Sequence, residues 1–158
     1  MSSTEKEFQE NLAIGIAGED IVYDYLVANN SYVHDHRKET HQDNKGPRLR
    51  GTEGELVLPD FSVRNKSERK GNFAVDAKVK NSVYTVNGKV CFTVDNKYEQ
   101  YKTATQILKL DYLALVFIYK NRMYFYKDED CIGTTRFNNQ YSKGLVYLFE
   151  YDEKRIRY

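Results

Sequence analysis

Tryptophan is absent from this chain, and proline, cysteine and methionine occur only twice each. Two cysteines, Cys91 and Cys131, cannot build a disulfide framework or a thiolate zinc site; they read as small core residues in a reducing compartment. No run approaches the ~20 apolar residues of a membrane span, so no membrane partner is expected. No charged-then-apolar leader opens the chain, and a cytoplasmic location is expected. There is no G-x-x-x-x-G-K-[ST] loop, no G-x-G-x-x-G turn and no evident Ser-His-Asp set, which removes the common phosphate-loop, dinucleotide and serine-hydrolase readings. Neither sign of charge dominates: 24 Lys plus Arg face 23 Asp plus Glu, for a net charge of +1. What the chain does have is tyrosine, 14 in 158 residues, with 41% hydrophobic and 30% charged residues. That composition excludes a wholly disordered chain. The length suits one domain over residues 1–158, able to bury roughly 70% of its unfolded surface without staples.

The neutral total conceals a split. Residues 1–30 carry Lys6 against Glu5, Glu7, Glu10, Glu19, Asp20 and Asp24, one base against six acids, or −5. Residues 64–80 carry Arg64, Lys66, Arg69, Lys70, Lys78 and Lys80 against Glu68 and Asp76, six bases against two acids, or +4. Such a segment suits either a phosphate-facing edge or a solvated hairpin loop.

Hydrophobic periodicity predicts a helix from an N-cap at Ser2, Ser3 or Thr4 to about Asn29. Residues 39–54, with Gly46-Pro47, Gly51 and Gly54, read as a loop. Residues 55–64 and 73–80 read as two strands of a hairpin with a charged turn between them. Asn87-Gly88 predicts a tight type I′ hairpin joining residues 83–86 to 89–94. Asp95 is placed to cap a helix reaching about Leu110. Residues 112–119 form a nearly continuous apolar run suited to a central strand. Residues 123–126 and 145–151 read as further strands. The order of helix, strands, helix, strands implies an α/β or α+β fold.

Three acids draw attention. At about 100° per residue, Phe8, Ile16, Glu19, Tyr23 and Leu26 fall within about 40° of Leu12, which sets Glu19 in the apolar stripe of the first helix. An unpaired buried carboxylate costs several kcal/mol. Glu19 therefore needs a metal ion, a lysine or an arginine nearby, or the stripe is the rim of a cleft, or Glu19 sits only at its boundary. Gly15 and Gly18 flank this turn. Each costs the helix about 1 kcal/mol against alanine, which suggests a close approach of backbone or ligand.

In residues 73–80, Phe73, Val75, Ala77 and Val79 face one way and Ala74, Asp76, Lys78 and Lys80 the other. In residues 55–64, Asp60 shares a face with Leu56 and Leu58. Antiparallel pairing brings Asp60 near Asp76. Two like carboxylates repel, and a hard divalent ion such as Mg²⁺ or Mn²⁺ relieves that repulsion. Lys78, on the Asp76 face, can stabilise an anionic phosphorane or orient a water. The same alternation also suits the wet face of a half-buried sheet.

Glu19, then Pro59-Asp60, then Asp76-Ala77-Lys78 resembles the PD-(D/E)XK nuclease superfamily, with a match over roughly residues 12–119. Gly15-Ile16-Ala17-Gly18-Glu19 and the short chain are similar to Holliday-junction resolvases and related small nucleases of phages and mobile elements. Asp76 stands where glutamate is commoner. The resemblance implies a restriction-endonuclease-like mixed β-sheet flanked by helices and a metal-dependent phosphodiesterase acting on DNA, probed first as an endonuclease on junction or branched substrates. It implies Asp60, Asp76 and the Ala77 carbonyl as ligands of Mg²⁺ (or Mn²⁺), Glu19 completing the metal site, and Lys78 positioning or activating water. Gln100 or Lys97 from the later helix, and Lys80, are accessory candidates; an exposed helix shoulder accounts for Gln100 and Lys97 equally well. Junction-cutting enzymes of this type need two active sites, so a homodimer is a further expectation.

His34 and His36, with His41 close by, suggest a metal pair that lacks an evident fourth ligand for zinc. With Arg37, Lys38, Lys45, Arg48 and Arg50, this stretch reads as a nucleic-acid-facing flap. Tyr119, Tyr124, Tyr126, Tyr141, Tyr147, Tyr151 and Tyr158 suit half-buried strands, base stacking or a dimer interface. Alternatives to a DNA nuclease are a nuclease acting on RNA, a non-catalytic nucleic-acid-binding module on the same scaffold, and an interaction protein whose wet sheet face imitates the motif.

Overall fold

The apolar run at residues 112–119 becomes the fourth strand of a five-stranded mixed sheet, buried from Leu113 to Phe117. The computed structural model describes residues 3–39, 48–51, 54–138 and 143–157. In chain order the elements are α1 (Ser3–Asn29), β1 (Tyr32–Asp35), β2 (Arg48–Gly51), β3 (Gly54–Val57), β4 (Phe61–Arg64), β5 (Phe73–Lys80), β6 (Tyr84–Val86) and β7 (Lys89–Val94). There follow α2 (Lys97–Ile107), β8 (Tyr112–Tyr119), β9 (Arg122–Lys127), β10 (Cys131–Asn138) and β11 (Lys143–Glu150). The fold is mixed α+β.

The larger sheet has the order β1-β4-β5-β8-β9. Its parallel pair is β5 with β8, in register from Phe73 opposite Tyr112 to Lys80 opposite Tyr119. Parallel strands need a crossover, and the β6–β7 hairpin and α2 supply it. A second, antiparallel sheet has the order β10-β11-β7-β6, and β2 pairs with β3 by itself. Among the described residues, no helix is long and apolar enough to cross a membrane.

Two cores lie on opposite faces of the larger sheet, and strand parity decides which residue enters which. Phe73, Val75 and Ala77 of β5 pack with Val22 and Leu26 of α1, Phe61 and Val63 of β4, and Val116 of β8. Ala74 joins the other core, with Tyr98 and Tyr101 of α2, Phe92 of β7, Phe117 of β8 and Phe149 of β11. Phe92 is the hub of that core. It stacks on Phe117 at 4.6 Å and meets Tyr119, Tyr124, Tyr126 and Tyr151. The tyrosine hydroxyls find partners at its margin: Tyr98 donates to the Asp128 carbonyl (3.1 Å), Tyr126 to the Glu150 carbonyl (2.7 Å), and Tyr124 and Tyr151 share a bond (3.1 Å). A buried tyrosine whose hydroxyl reaches a carbonyl keeps its ring area without an unsatisfied donor. The tyrosines at 124, 126 and 147 are thus core residues.

Several expectations are corrected. The strand expected over residues 55–64 is two strands, because the chain breaks at Leu58-Pro59-Asp60 and β3 leaves to pair with β2. Residues 48–51 and 54, expected in a loop, are strand. β1 and β10 were not anticipated. β1 has only four residues, and a register shift between Cys131 and Gly133 interrupts the alternation of β10. Asp95 does cap the second helix, accepting from the Lys97 amide (3.0 Å), and Asn87 and Gly88 adopt φ of 51° and 80° as a type I′ turn demands. His41, Lys45, Gly46, Pro47, Tyr141 and Tyr158 lie outside the described residues.

The apolar face of α1 is also corrected. Leu12 and Ile16 are about half exposed, whereas Gly18, Val22 and Leu26 are buried. The buried stripe is turned by about 80° from the one centred on Leu12. Close approach at Gly18 fixes that rotation: a Cβ there would overlap Val79 Cγ2 and stand 3.1 Å from Ile118 Cδ1. Gly15 has nothing within 4 Å.

The two glycines therefore differ in consequence. Gly18→Ala overpacks the α1–β5 contact, and after the gain in helix propensity a net loss of about 1 kcal/mol is expected. Gly15→Ala is expected to gain up to about 1 kcal/mol. Urea unfolding of both variants measures the contrast, and equal signs would contradict the packing.

Candidate active site

Asp60 stands at the chain break. Its backbone carbonyl accepts from the His36 amide (2.9 Å), and its carboxylate Oδ2 accepts from the Ala77 amide (2.9 Å). β4 pairs with β5 from Phe61 opposite Val75 onward, so Asp60, one residue before the strand, is level with Asp76. Beyond that point β5 has lost its β4 neighbour, and the Asp60 side chain takes over the bond that a strand would have made to Ala77. Pro59 precedes it and has no amide hydrogen to continue a ladder.

Asp76 is 2% exposed, on the β5 face that looks toward α2. Its Oδ2 accepts no hydrogen bond from any described residue. The Lys78 ammonium lies 3.1 Å from that oxygen, an ion pair without hydrogen-bond alignment. Lys78 donates instead to the Tyr101 hydroxyl on α2, also at 3.1 Å, with its nitrogen 5.3 Å from the ring centre. On this helix the sequence singles out Gln100 and Lys97, not Tyr101. The signal that could have singled it out is its place on the α2 side that faces β5.

Glu19 is at the shoulder of the buried stripe, with its side chain 26% exposed. Its companion is Arg37, whose guanidinium is 3.5 Å away and also bonds Asp20 (2.8 Å) and Asp35 (2.9 Å). Arg37 further lies 4.9 Å over the Phe61 ring. The expected cationic partner of Glu19 is thus an arginine. The flap reading fails for Arg37, which faces inward onto acids and rings. His34 and His36 pair their rings at 4.6 Å, and buried His36 bonds the Ser62 hydroxyl through Nε2.

A cleft of about 250 Å³ opens between α1 and the end of β5, lined by Asn11, Gly15, Glu19, Ala77, Lys78 and Asn81 among others. Asn11 and Asn81 were not anticipated. Asp60 and Asp76 are not among its lining residues. Gln100 is engaged elsewhere, accepting from the Val57 amide (3.0 Å) and so fastening α2 to β3. Lys97 is exposed in the first turn of α2.

The charges act on one another. Burial, then the negative charges of Asp76 and Glu19, push the Asp60 carboxyl well above its usual range, against the Ala77 amide and Lys78. Burial likewise raises Glu19; Arg37 opposes that shift and Asp76 adds to it. For Lys78, burial works downward, but Asp76, Tyr101 and Asp60 hold the group well above the ordinary lysine value. Lys78 is therefore a firmly protonated ammonium, suited to orienting and stabilising anions rather than to removing protons. Burial and the like charge of Lys78 bring Lys80 down to about 8.

Among the described residues, no three His, Cys, Asp or Glu side chains stand close enough together to ligate one ion. Two carboxylates, Asp76 on β5 with an orphaned buried oxygen and Asp60 just before β4, nevertheless form a donor set of the hard, anionic kind that a divalent cation satisfies. Asp60, Asp76 and the Ala77 carbonyl are the groups that could hold one.

The raised carboxyl of Asp60 gives a signed prediction. Its contribution to stability is fully present below the unfolded value of about 3.8 and is lost as pH rises through the elevated folded value. At pH 7 in EDTA, Asp60→Asn is expected to be more stable than the wild type, with the advantage shrinking as pH falls into the carboxylate range. Urea unfolding across pH 4–8 checks it; a variant less stable at pH 7 would contradict the repulsion.

In comparisons with known proteins, no protein-family model, no curated protein and no solved structure matches this chain.

Proposed function

We propose that this chain is a metal-dependent nuclease of the PD-(D/E)XK kind, with a restriction-endonuclease-like sheet, that hydrolyses phosphodiester bonds of DNA as an endonuclease. The observation that carries the reading is the orphaned Oδ2 of Asp76, a residue 2% exposed, beside the Lys78 ammonium, with Asp60 level with it just before β4. Burying two like charges side by side costs stability, and a fold retains such an arrangement where a cation or an anionic substrate uses it. Asp60, Asp76 and the Ala77 carbonyl would hold Mg²⁺ or Mn²⁺. Such an ion, when bound, lowers the pKa of a water and neutralises charge at phosphorus.

The remaining work falls to this chain's own groups. The Lys78 ammonium, fixed by Tyr101 beside Asp76, stabilises negative charge on a phosphate or orients the attacking water. Glu19, also lining the cleft, contributes a carboxylate whose position Arg37 sets. The reading extends to two copies acting together, for which α1 supplies exposed Leu12, Ile14, Ile16 and Ile21. A second reading, a non-catalytic nucleic-acid-binding module, is favoured by one observation: no three ligating side chains are gathered among the described residues.

A panel of labelled junction, flap, duplex, single-stranded DNA and RNA substrates, with Mg²⁺, Mn²⁺ or EDTA, separates these readings. Cleavage in Mg²⁺ or Mn²⁺ that Asp76→Ala and Lys78→Ala each reduce by about 10²–10⁴-fold is expected, with both variants folded by circular dichroism. Binding without turnover assigns the module. Full cleavage by Asp76→Ala overturns the site.

A further inference from the structure

A cavity of about 660 Å³ lies away from Asp60 and Asp76, where the start of β5, the start of β8, the end of β9 and the end of α1 meet. Phe73, at its floor, is five residues before Lys78, which is about 16 Å along a strand, and on the opposite sheet face from Asp76. Asn29, at its rim, is ten residues beyond Glu19, about 15 Å along a helix. The cavity is therefore separate from the cleft.

Its walls combine flat rings with positive charge. Phe73 and Tyr112 stack at 5.0 Å and 7°, and Tyr25 and Phe125 form a tilted pair at 5.3 Å. Lys70, Lys127, Arg155 and Arg157 stand against Glu129 and Asp130, four bases against two acids. Asp130 is already paired with Arg155 by two bonds of 3.1 Å. The other three cations have neutral contacts among the described residues. Lys70 donates to the Asn29 carbonyl (2.6 Å), Arg157 to the Lys154 and Ile156 carbonyls (3.1 Å each), and the Lys127 ammonium rests 4.4 Å over the Tyr112 ring. The basic segment at residues 64–80 is thus divided by β5: Lys78 pairs with Asp76, while Lys70 lines this cavity.

We propose that this cavity binds a nucleotide, a planar base carried on a phosphate. Volumes of roughly 300–1,000 Å³ are those of small-molecule sites. Aromatic faces accept any base by stacking, worth about 1–3 kcal/mol. A dianionic phosphate meets two or three cations that no acid among the described residues pairs with, forming charge-assisted bonds of the stronger class. An exposed cation–π contact such as Lys127 on Tyr112 is worth only about 0.5–1 kcal/mol, so phosphate draws the ammonium off the ring and frees that face for the base. An apolar ligand would leave the cations unused, and a bare anion would leave the rings unused. The nucleotide is either free or the phosphorylated end of a nucleic-acid strand. The inference does not rest on the nuclease reading.

Isothermal titration of the full chain with 5′-AMP, adenosine, inorganic phosphate and a 5′-phosphorylated hexanucleotide tests it, in EDTA to keep metal off Asp60 and Asp76. Saturable 5′-AMP binding is expected, at least tenfold tighter than adenosine or phosphate. It should weaken at least tenfold in the Lys70→Ala/Lys127→Ala double variant, whose exposed side chains leave the fold unchanged. Asp76→Ala should bind as wild type does. Tighter binding of the hexanucleotide than of 5′-AMP assigns a strand end; equal or weaker binding assigns a free nucleotide. The proposal is overturned by absence of saturable binding to both, by undiminished binding in the double variant, or by loss of binding in Asp76→Ala.

Discussion

A carboxylate buried to 2% exposure with one oxygen unbonded is the constraint around which the site is arranged. Asp76 enters the α2 side of the sheet because β5 alternates, and nothing local can release it. The fold answers with Lys78 two residues on, and Lys78 in turn needs Tyr101 from α2 to hold its ammonium. α2 is fixed at that place by Gln100, which fastens it to β3, and by the aromatic core beneath it. One buried charge thus links β5, α2 and β3, elements far apart in the chain. The unsatisfied oxygen and the raised Asp60 carboxyl are destabilising features that meet at one place.

Close packing of α1 does the complementary work on the other face. Gly18 lets the helix lie directly on Val79 and Ile118. That contact sets the rotation of α1, and the rotation carries Glu19 to the cleft margin, where Arg37 meets it. Had α1 buried the stripe centred on Leu12, Glu19 would sit inside the core with no room for a guanidinium. Arg37 then draws in Asp20 and Asp35, so the acidic surplus of the first thirty residues is partly used to hold one arginine.

Much of the larger sheet was readable. The parity of β5 separates Phe73, Val75 and Ala77 from Asp76 and Lys78, and the structure keeps that separation. Asn87-Gly88 and the apolar β8 were equally clear, since each depends on neighbours in sequence. Residues 55–64 were not, because alternation continues through Leu58-Pro59-Asp60 while the backbone changes partner there. β10 was hidden by its register shift, and β2 and the first residue of β3 by glycines that sit at the joining ends of that pair.

The residues themselves set Lys78 on the Asp76 face, put Asp60 within reach of Asp76 once the two segments pair antiparallel, and left Glu19 with a cation, a cleft rim or the stripe boundary as its possible surroundings. Alternation and turn chemistry operate over a few residues, and those are present in the string of letters. Only the tertiary structure decided that the cation is Arg37, that Tyr101 holds Lys78, that Gln100 turns to Val57, and that an aromatic, cationic cavity forms at the far end of the sheet. Each of those depends on crossing angles and close contacts between segments tens of residues apart, which no local pattern encodes.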